Sequence, residues 1–200
     1  MKLIVISKEK VFDGEPLWIN TLMGEYDFTF HLRKPSLTER ETEEIILQIN
    51  SIFHNRIVLH DHFPLAAKYR LKGVHLNSRN PQANFKSEYW NRCSISRSCH
   101  SLEEVAANKD SCNYLTLSPV FDSISKEGYK AGFPEEILIG AADKGFIDNK
   151  VVALGGITSS NISSALALGF GGVAVLGAIW NRATLEDAIM ELGSLIQKMK

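Results

Sequence analysis

The sequence predicts a single-domain (β/α)8 TIM barrel, an α/β fold, over residues 1–200. Three observations predict it. A length of 200 residues suits one domain of this class. Eight short β-rich runs recur along the chain, several of them apolar with little alternation, as strands covered on both faces require. Helical patterns with start and stop signals lie between most of these runs, and one more closes the chain. An open, doubly wound sheet is compatible with the same alternation. The count of eight runs followed by a closing helix favours the barrel. No internal repeat, low-complexity tract or linker divides the chain.

The runs that read as strands are 3–6, 27–32, 57–60, 73–76, 93–96, 114–117, 151–154 and 172–176. The first lies in Met1-Lys2-Leu3-Ile4-Val5-Ile6-Ser7, which has neither a long apolar region nor a small-residue cleavage site, and so reads as a strand and not a signal peptide. Thr38-Glu39-Arg40-Glu41 is a capping box that opens a helix through about residue 52. A short helix is expected near Phe63-Pro64. The stretch "NSRNPQANFKSEYWNR" promises a loop and at most one short helix, so the fourth βα unit is reduced. Ser101-Leu102-Glu103-Glu104 is a second capping box. Pro134 starts another helix that runs towards Gly145. Ser159 or Ser160 caps "NISSALALG", which Gly169 ends. Thr184 with Asp187 caps the last helix, in which Leu185, Ile189, Leu192 and Ile196 recur at helical spacing and are expected to face the sheet.

Composition narrows the function. Twenty-two basic residues stand against 23 acidic ones, net −1. That balance gives no electrostatic footprint for nucleic acid or for an anionic membrane surface, and no stretch is long and apolar enough to span a bilayer. Any anion binding is therefore local. Cys93, Cys99 and Cys112 are odd in number and show no CxxC spacing, so reduced thiols in a cytoplasmic protein are expected.

In a barrel of this kind, chemistry sits at the C-terminal strand ends and on the loops that follow. That rule alone selects His31, Arg33 and Lys34; His60, Asp61 and His62; His75 and residues 77–80; Ser96, Arg97, Ser98 and His100; the stretch "DSISKEGYKAG"; Gly155 and Gly156; and Gly177. Five of the six histidines fall in the set. "ALGGITSSN" and "GVAVLGAI" place glycine turns after the last two strands, where a phosphate can approach the backbone and meet the amides of a helix start. Ser123, Ser125 and Lys126 read as a second anion clamp, with hydroxyls donating and the ammonium supplying charge. Asp61 has three local readings: a Mg²⁺ ligand, a partner for a histidine, or a helix cap. His60 and His62 flank it, but the two are not expected to share one site, which argues against zinc there.

Read in order, "FHLRKP", "IVLHDHFPLA", "KGVHL", "SRSCHS", "NYLTLSPVFDSISK" and "VVALGGITSSN…GVAVLGAI" resemble the thiamine phosphate synthase and thiazole tautomerase superfamily over about residues 27–180. The resemblance implies a Mg²⁺-dependent transferase of thiamine biosynthesis. It would couple an aminopyrimidine diphosphate to a thiazole phosphate, giving thiamine phosphate and pyrophosphate. By position it assigns Arg33 and Ser98 to the diphosphate, and His31 and His60, which stand where the family has amides, to the same substrate. It assigns Asp61 to Mg²⁺, with Asn80 at the second metal position. Ser123, Ile124, Ser125 and Lys126 match the family's threonine–lysine loop. Gly155, Gly156, Leu176 and Gly177 match the thiazole phosphate pocket. Arg33, Ser98 and Lys126 carry the chemistry on this reading.

Three departures accompany the resemblance. Asn80 replaces an aspartate. The family's second basic-segment lysine falls at Pro35, with Lys34 one position earlier. The catalytic histidine of the tautomerase branch falls at Pro119. Two alternatives therefore stand beside the synthase: a tautomerase of a thiazole carboxylate phosphate, with His31, His60 or His100 moving protons, and a non-catalytic binder of phosphorylated ligands. On every alternative the partners are small phosphorylated molecules. The oligomeric state is left open, a homo-oligomer included.

Overall fold

A computed structural model describes residues 1–82, 88–122 and 132–200. Eight parallel strands close into a barrel in sequence order, β1(Lys2–Ile6), β2(Thr29–Leu32), β3(Ile57–Leu59), β4(Gly73–Leu76), β5(Ser94–Cys99), β6(Tyr114–Leu117), β7(Val151–Leu154) and β8(Gly172–Val175). β8 pairs with β1 through Leu3 opposite Val173 and Val5 opposite Val175, which completes the ring. The closed barrel, not the open sheet, is the fold.

Alternation along each strand sorts the side chains. Leu3 and Val5, Phe30 and Leu32, Ile57 and Leu59, Leu115 and Leu117, Val151 and Ala153, and Val173 and Val175 join the large core between sheet and helices. Their neighbours Ile4, Ile6, Tyr114, Val152 and Ala174 form a second cluster inside the barrel. Strands so covered on both faces carry the continuous apolar runs that identified them.

The helices are α1(Glu15–Glu25), α2(Glu39–Gln48), α3(Pro64–Lys68), α4(Leu102–Asn108), α5(Glu135–Asp143), α6(Ile162–Ala167), α7(Gly177–Trp180) and α8(Leu185–Lys198). The Thr38 capping box is complete, with hydroxyl and Glu41 carboxylate each satisfying the other's backbone amide. α2 stops at Gln48, short of residue 52, and a 3₁₀ turn, Ser51–Arg56, carries the chain on to β3. Ser101 caps α4, but the Glu104 carboxylate reaches the His100 amide, so the second box is half formed. Asn161, not Ser159 or Ser160, stands at the start of α6. Gly169 ends α6 at φ 85°, as expected. In α8, Ala188, Glu191, Leu192 and Leu195 form the buried stripe, flanked by Leu185, Ile189 and Ile196.

Two further details position the mouth. β5 runs on to Cys99, so Arg97 and Ser98 lie within the strand and not on the loop after it. α7, a single turn the pattern does not announce, carries buried Trp180, whose indole Nε1 donates to the Ile6 carbonyl at 2.6 Å. Its ring stacks on Trp18 at 6.3 Å and meets Phe30 edge-on. Among the described residues no helix is long and apolar enough to cross a membrane, and all three cysteines are free.

Candidate active site

A cavity of about 340 Å³ opens at the C-terminal end of the barrel. One wall is polar and basic: Arg33, His60, His75, Asn77, Ser78, Arg79, Ser98, His100 and Ser118. The other is apolar: Ile6, Pro119, Leu154, Gly155 and Leu176.

Under the polar wall lies a network that strand-end logic did not assemble. His31 on β2, His60 after β3 and His75 on β4 point inward and are fully or nearly fully buried. His31 Nδ1 is 2.9 Å from His60 Nε2, and His31 Nε2 is 2.6 Å from the Tyr114 hydroxyl. His75 reaches Ser96 Oγ through Nδ1 and Ser98 Oγ through Nε2, both at 2.8 Å. The His60 and His75 rings stack with centroids 4.3 Å apart. Burial holds all three imidazoles neutral: His31 and His60 lie well below their ordinary range, helped by His75, and His75 falls to about 3, helped by Arg97. A neutral imidazole carries one donor and one acceptor, so Tyr114, His31 and His60 form a satisfied chain with every ring uncharged. Burial pushes the Tyr114 hydroxyl up, which keeps it protonated. The three rings also offer one nitrogen each within 4.8 Å of one another. The hydrogen bonds just named already use those nitrogens of His31 and His75.

The rest of the strand-end set divides. Arg33 lines the cavity and pairs with Glu9 at 2.9 Å, its backbone held by the buried Ser7 hydroxyl. Lys34 does not reach the mouth. It lies buried against Glu15 with Nζ–O distances of 2.7 and 2.8 Å. Burial raises the Glu15 carboxyl and lowers the Lys34 ammonium, while their pairing opposes both shifts. His62 turns away to the Leu37 carbonyl, so His60 and His62 share no site, as expected. His100 lies at the rim, its Nδ1 3.2 Å from the Ser118 carbonyl.

Asp61 caps nothing, for α3 begins without a side-chain cap. Its Oδ1 accepts from Asn80 Nδ2 at 2.8 Å and from the Arg79 guanidinium at 3.2 Å. The Asn80 amide nitrogen donates also to the His60 carbonyl at 3.0 Å, which turns its oxygen away from the carboxylate. Mg²⁺ asks for near-octahedral oxygen ligands. One carboxylate covered by a guanidinium, beside an amide presenting its NH₂, does not fit that ion.

The glycine corner after β7 is built for close approach. Gly155 and Gly156 have φ 103° and 64°. A Cβ on Gly156 would stand 2.2 Å from the Asp122 carbonyl oxygen, so a side chain is excluded twice over. Asn161 braces the corner, donating to the Gly156 carbonyl and accepting from the Thr158 amide, both at 2.9 Å. Glu191 of α8 takes the Ser159 amide at 2.8 Å. Two of the amides expected to greet a phosphate thus serve the fold. Leu176 lines the cavity, and Gly177, next in chain, starts α7. Ser123, Ile124, Ser125 and Lys126 lie outside the described residues.

Comparison with known proteins places the chain in a family. Residues 4–179 match the family described as thiamine monophosphate synthase. The chain belongs to that family. A thiamine-phosphate synthase of Parasynechococcus marenigrum (strain WH8102) is 32% identical over 148 residues, 71% of this chain and 40% of that protein. One of Yersinia pestis (strain Pestoides F) is 27% identical over 181 residues, 85% of this chain and 83% of that protein. The crystal structure of thiamine phosphate pyrophosphorylase from Bacteroides thetaiotaomicron superposes with a TM-score of 0.87 at 34% identity, covering 100% of this chain and 98% of that one. A Pyrococcus furiosus structure shares the fold, with a TM-score of 0.79 at 22% identity.

Within the thiamine monophosphate synthase family, this chain brings Arg33, His60, Ser98, Gly155 and Leu176 to one cavity. It places His31 directly beneath, on His60. Pro119, where the resemblance puts the tautomerase branch's histidine, stands at the cavity wall and offers no proton-carrying group.

Proposed function

We infer that this chain is a transferase carrying out the thiamine-phosphate synthase reaction. An aminopyrimidine diphosphate and a thiazole phosphate combine to thiamine phosphate and pyrophosphate. The observation that carries the reading is the division of one cavity into a basic wall and an apolar wall with a glycine corner, in a chain whose family match runs through both. The basic wall suits the leaving diphosphate, and the corner suits the phosphate of the second substrate.

The chemistry follows from that division. The pyrimidinyl C–O bond breaks as negative charge collects on the diphosphate, and fixed cations and donors stabilise that charge without reorganising. Arg33 and Ser98 do this from the cavity wall, and the family resemblance assigns Lys126 to the same charge. The thiazole nitrogen then attacks the exposed carbon, held in line by the grip on its own phosphate. Neutral His60 at the cavity floor offers an uncharged hydrogen bond to the aminopyrimidine edge, where a charged imidazolium would repel the cationic fragment.

The test is direct. Both substrates are supplied, and thiamine phosphate is followed by chromatography alongside released pyrophosphate, with and without Mg²⁺. Equimolar products are expected. Failure of both to appear in either condition overturns the reading. Lys126→Ala is expected to lower kcat/KM by about a hundredfold or more and Ser123→Ala by much less, as loss of a full charge outweighs loss of one hydroxyl.

A further inference from the structure

We propose that Arg79, seated on Asp61, takes the place of a divalent cation, so that this cavity binds a diphosphate group without metal. The inference rests on the synthase reading for the identity of the ligand. Its structural basis is separate.

The Asp61 carboxylate, where the family resemblance implied Mg²⁺, holds a fork of arginine donors. Arg79 Nη2 lies 3.2 and 3.3 Å from its two oxygens, and Nε lies 3.4 Å from Oδ1. Asn80 adds its amide NH₂ to the same Oδ1. The Asp61 negative charge is thus met by a fixed positive one. A second, doubly charged cation there would face Arg79 and, on the same basic wall, Arg33.

The segment that carries Arg79 is built to hold it. Asn77 is buried; its side-chain oxygen accepts from the Arg79 and Asn80 amides at 3.0 and 3.2 Å, and its NH₂ donates to the His60 carbonyl at 2.9 Å. The backbones of Asn77 and Asn80 exchange two hydrogen bonds, each 3.1 Å. The tight turn leaves Arg79 no freedom of origin, only of reach. Its side chain is 41% exposed, against 13% for Asp61, so the guanidinium rests on the carboxylate and keeps donors for the cavity it lines. A guanidinium has five donors in a planar fork that matches phosphate oxygens. Asp61 is then a positioning residue, and Asn80, neutral where a metal site asks for charge, keeps the carboxylate aimed at Arg79.

The probe is inorganic pyrophosphate, titrated calorimetrically into the full chain in EDTA and again with excess Mg²⁺. Binding of comparable strength in EDTA is expected, and Arg79→Ala is expected to weaken it about tenfold or more, the loss of one or two charge-assisted hydrogen bonds. Arg79→Lys keeps the charge but loses the fork and should fall between. Asn80→Asp draws Arg79 tighter and supplies a second carboxylate, so it should weaken binding in EDTA and gain a Mg²⁺ response the parent lacks. Thermal melts confirm that each variant is folded. Binding that appears only with Mg²⁺, binding that ignores Arg79→Ala, or no binding in either condition overturns the proposal. Turnover separates the two readings: metal-free, Arg79-dependent pyrophosphate binding without synthase product sinks the activity and keeps this site. Product formation strictly dependent on Mg²⁺, with no pyrophosphate bound in EDTA, does the reverse.

Discussion

Strands β7, β8 and β1 fill their share of the barrel interior with Val152, Ala174, Ile4 and Ile6, while β2 to β6 fill theirs with His31, His60, His75, Ser96, Ser98 and Thr116. Tyr114 belongs to both: its ring joins the apolar cluster and its hydroxyl meets His31. The dry half is held by packing alone and tolerates any shape that fills it. The wet half depends on partners for its buried polar atoms, because orphaning one that is matched costs its desolvation.

Breaking matches in order of charge tests this contrast. The largest loss is expected behind β2, where Lys34→Met strands a buried Glu15 carboxylate. About 3–5 kcal/mol should disappear from the urea unfolding free energy, and Glu15→Leu in the same chain should recover most of it. Acid comes next. The three buried histidines are neutral in the fold and protonate freely once unfolded, so below pH about 6.5 the unfolded chain binds more protons. Their contribution is whole above that pH and drains away as pH falls towards the folded values, about 3 for His75. Below about pH 6 the urea unfolding free energy should fall by up to about 1.4 kcal/mol per pH unit for each histidine, with a shallower slope in His31→Gln.

Smaller effects compare the halves directly. Ser96→Ala leaves His75 Nδ1 unmatched and should cost about 1–3 kcal/mol. Val152→Thr plants a hydroxyl in the dry half and should cost about the same. Thr116→Val should change stability by no more than about 0.5 kcal/mol, because that buried hydroxyl has no hydrogen-bond partner among the described residues. A large loss from Thr116→Val would erase the distinction between matched and unmatched polar groups.

The barrel was legible because its outward residues repeat an apolar pattern that local reading detects. The mouth residues were legible because strand ends are known once strands are. The histidine network was not, since its members sit 29 and 15 residues apart and meet only when neighbouring strands aim alternate side chains inward. Period two was enough to misplace Lys34: His31 faces in, Leu32 out, Arg33 in and Lys34 out, so its shift by one from the family's lysine moves it to the other side of the sheet. Asp61 offered three local readings, and the deciding partner, Arg79, came from a turn whose Asn77 and Asn80 bonds no periodicity encodes. Asn161 displaced the serines at α6, its amide group donating to the Gly156 carbonyl and accepting from the Thr158 amide at once.

The aromatic stack around Trp180 gives the molecule an optical gauge of its own. Trp180 follows the Leu176–Gly177 corner by three residues, is anchored to the Ile6 carbonyl and lies face to face with Trp18. On the proposed function, a phosphate ester seated at that corner would change the surroundings of a stacked indole pair, and its arrival would be read as tryptophan emission in unlabelled protein.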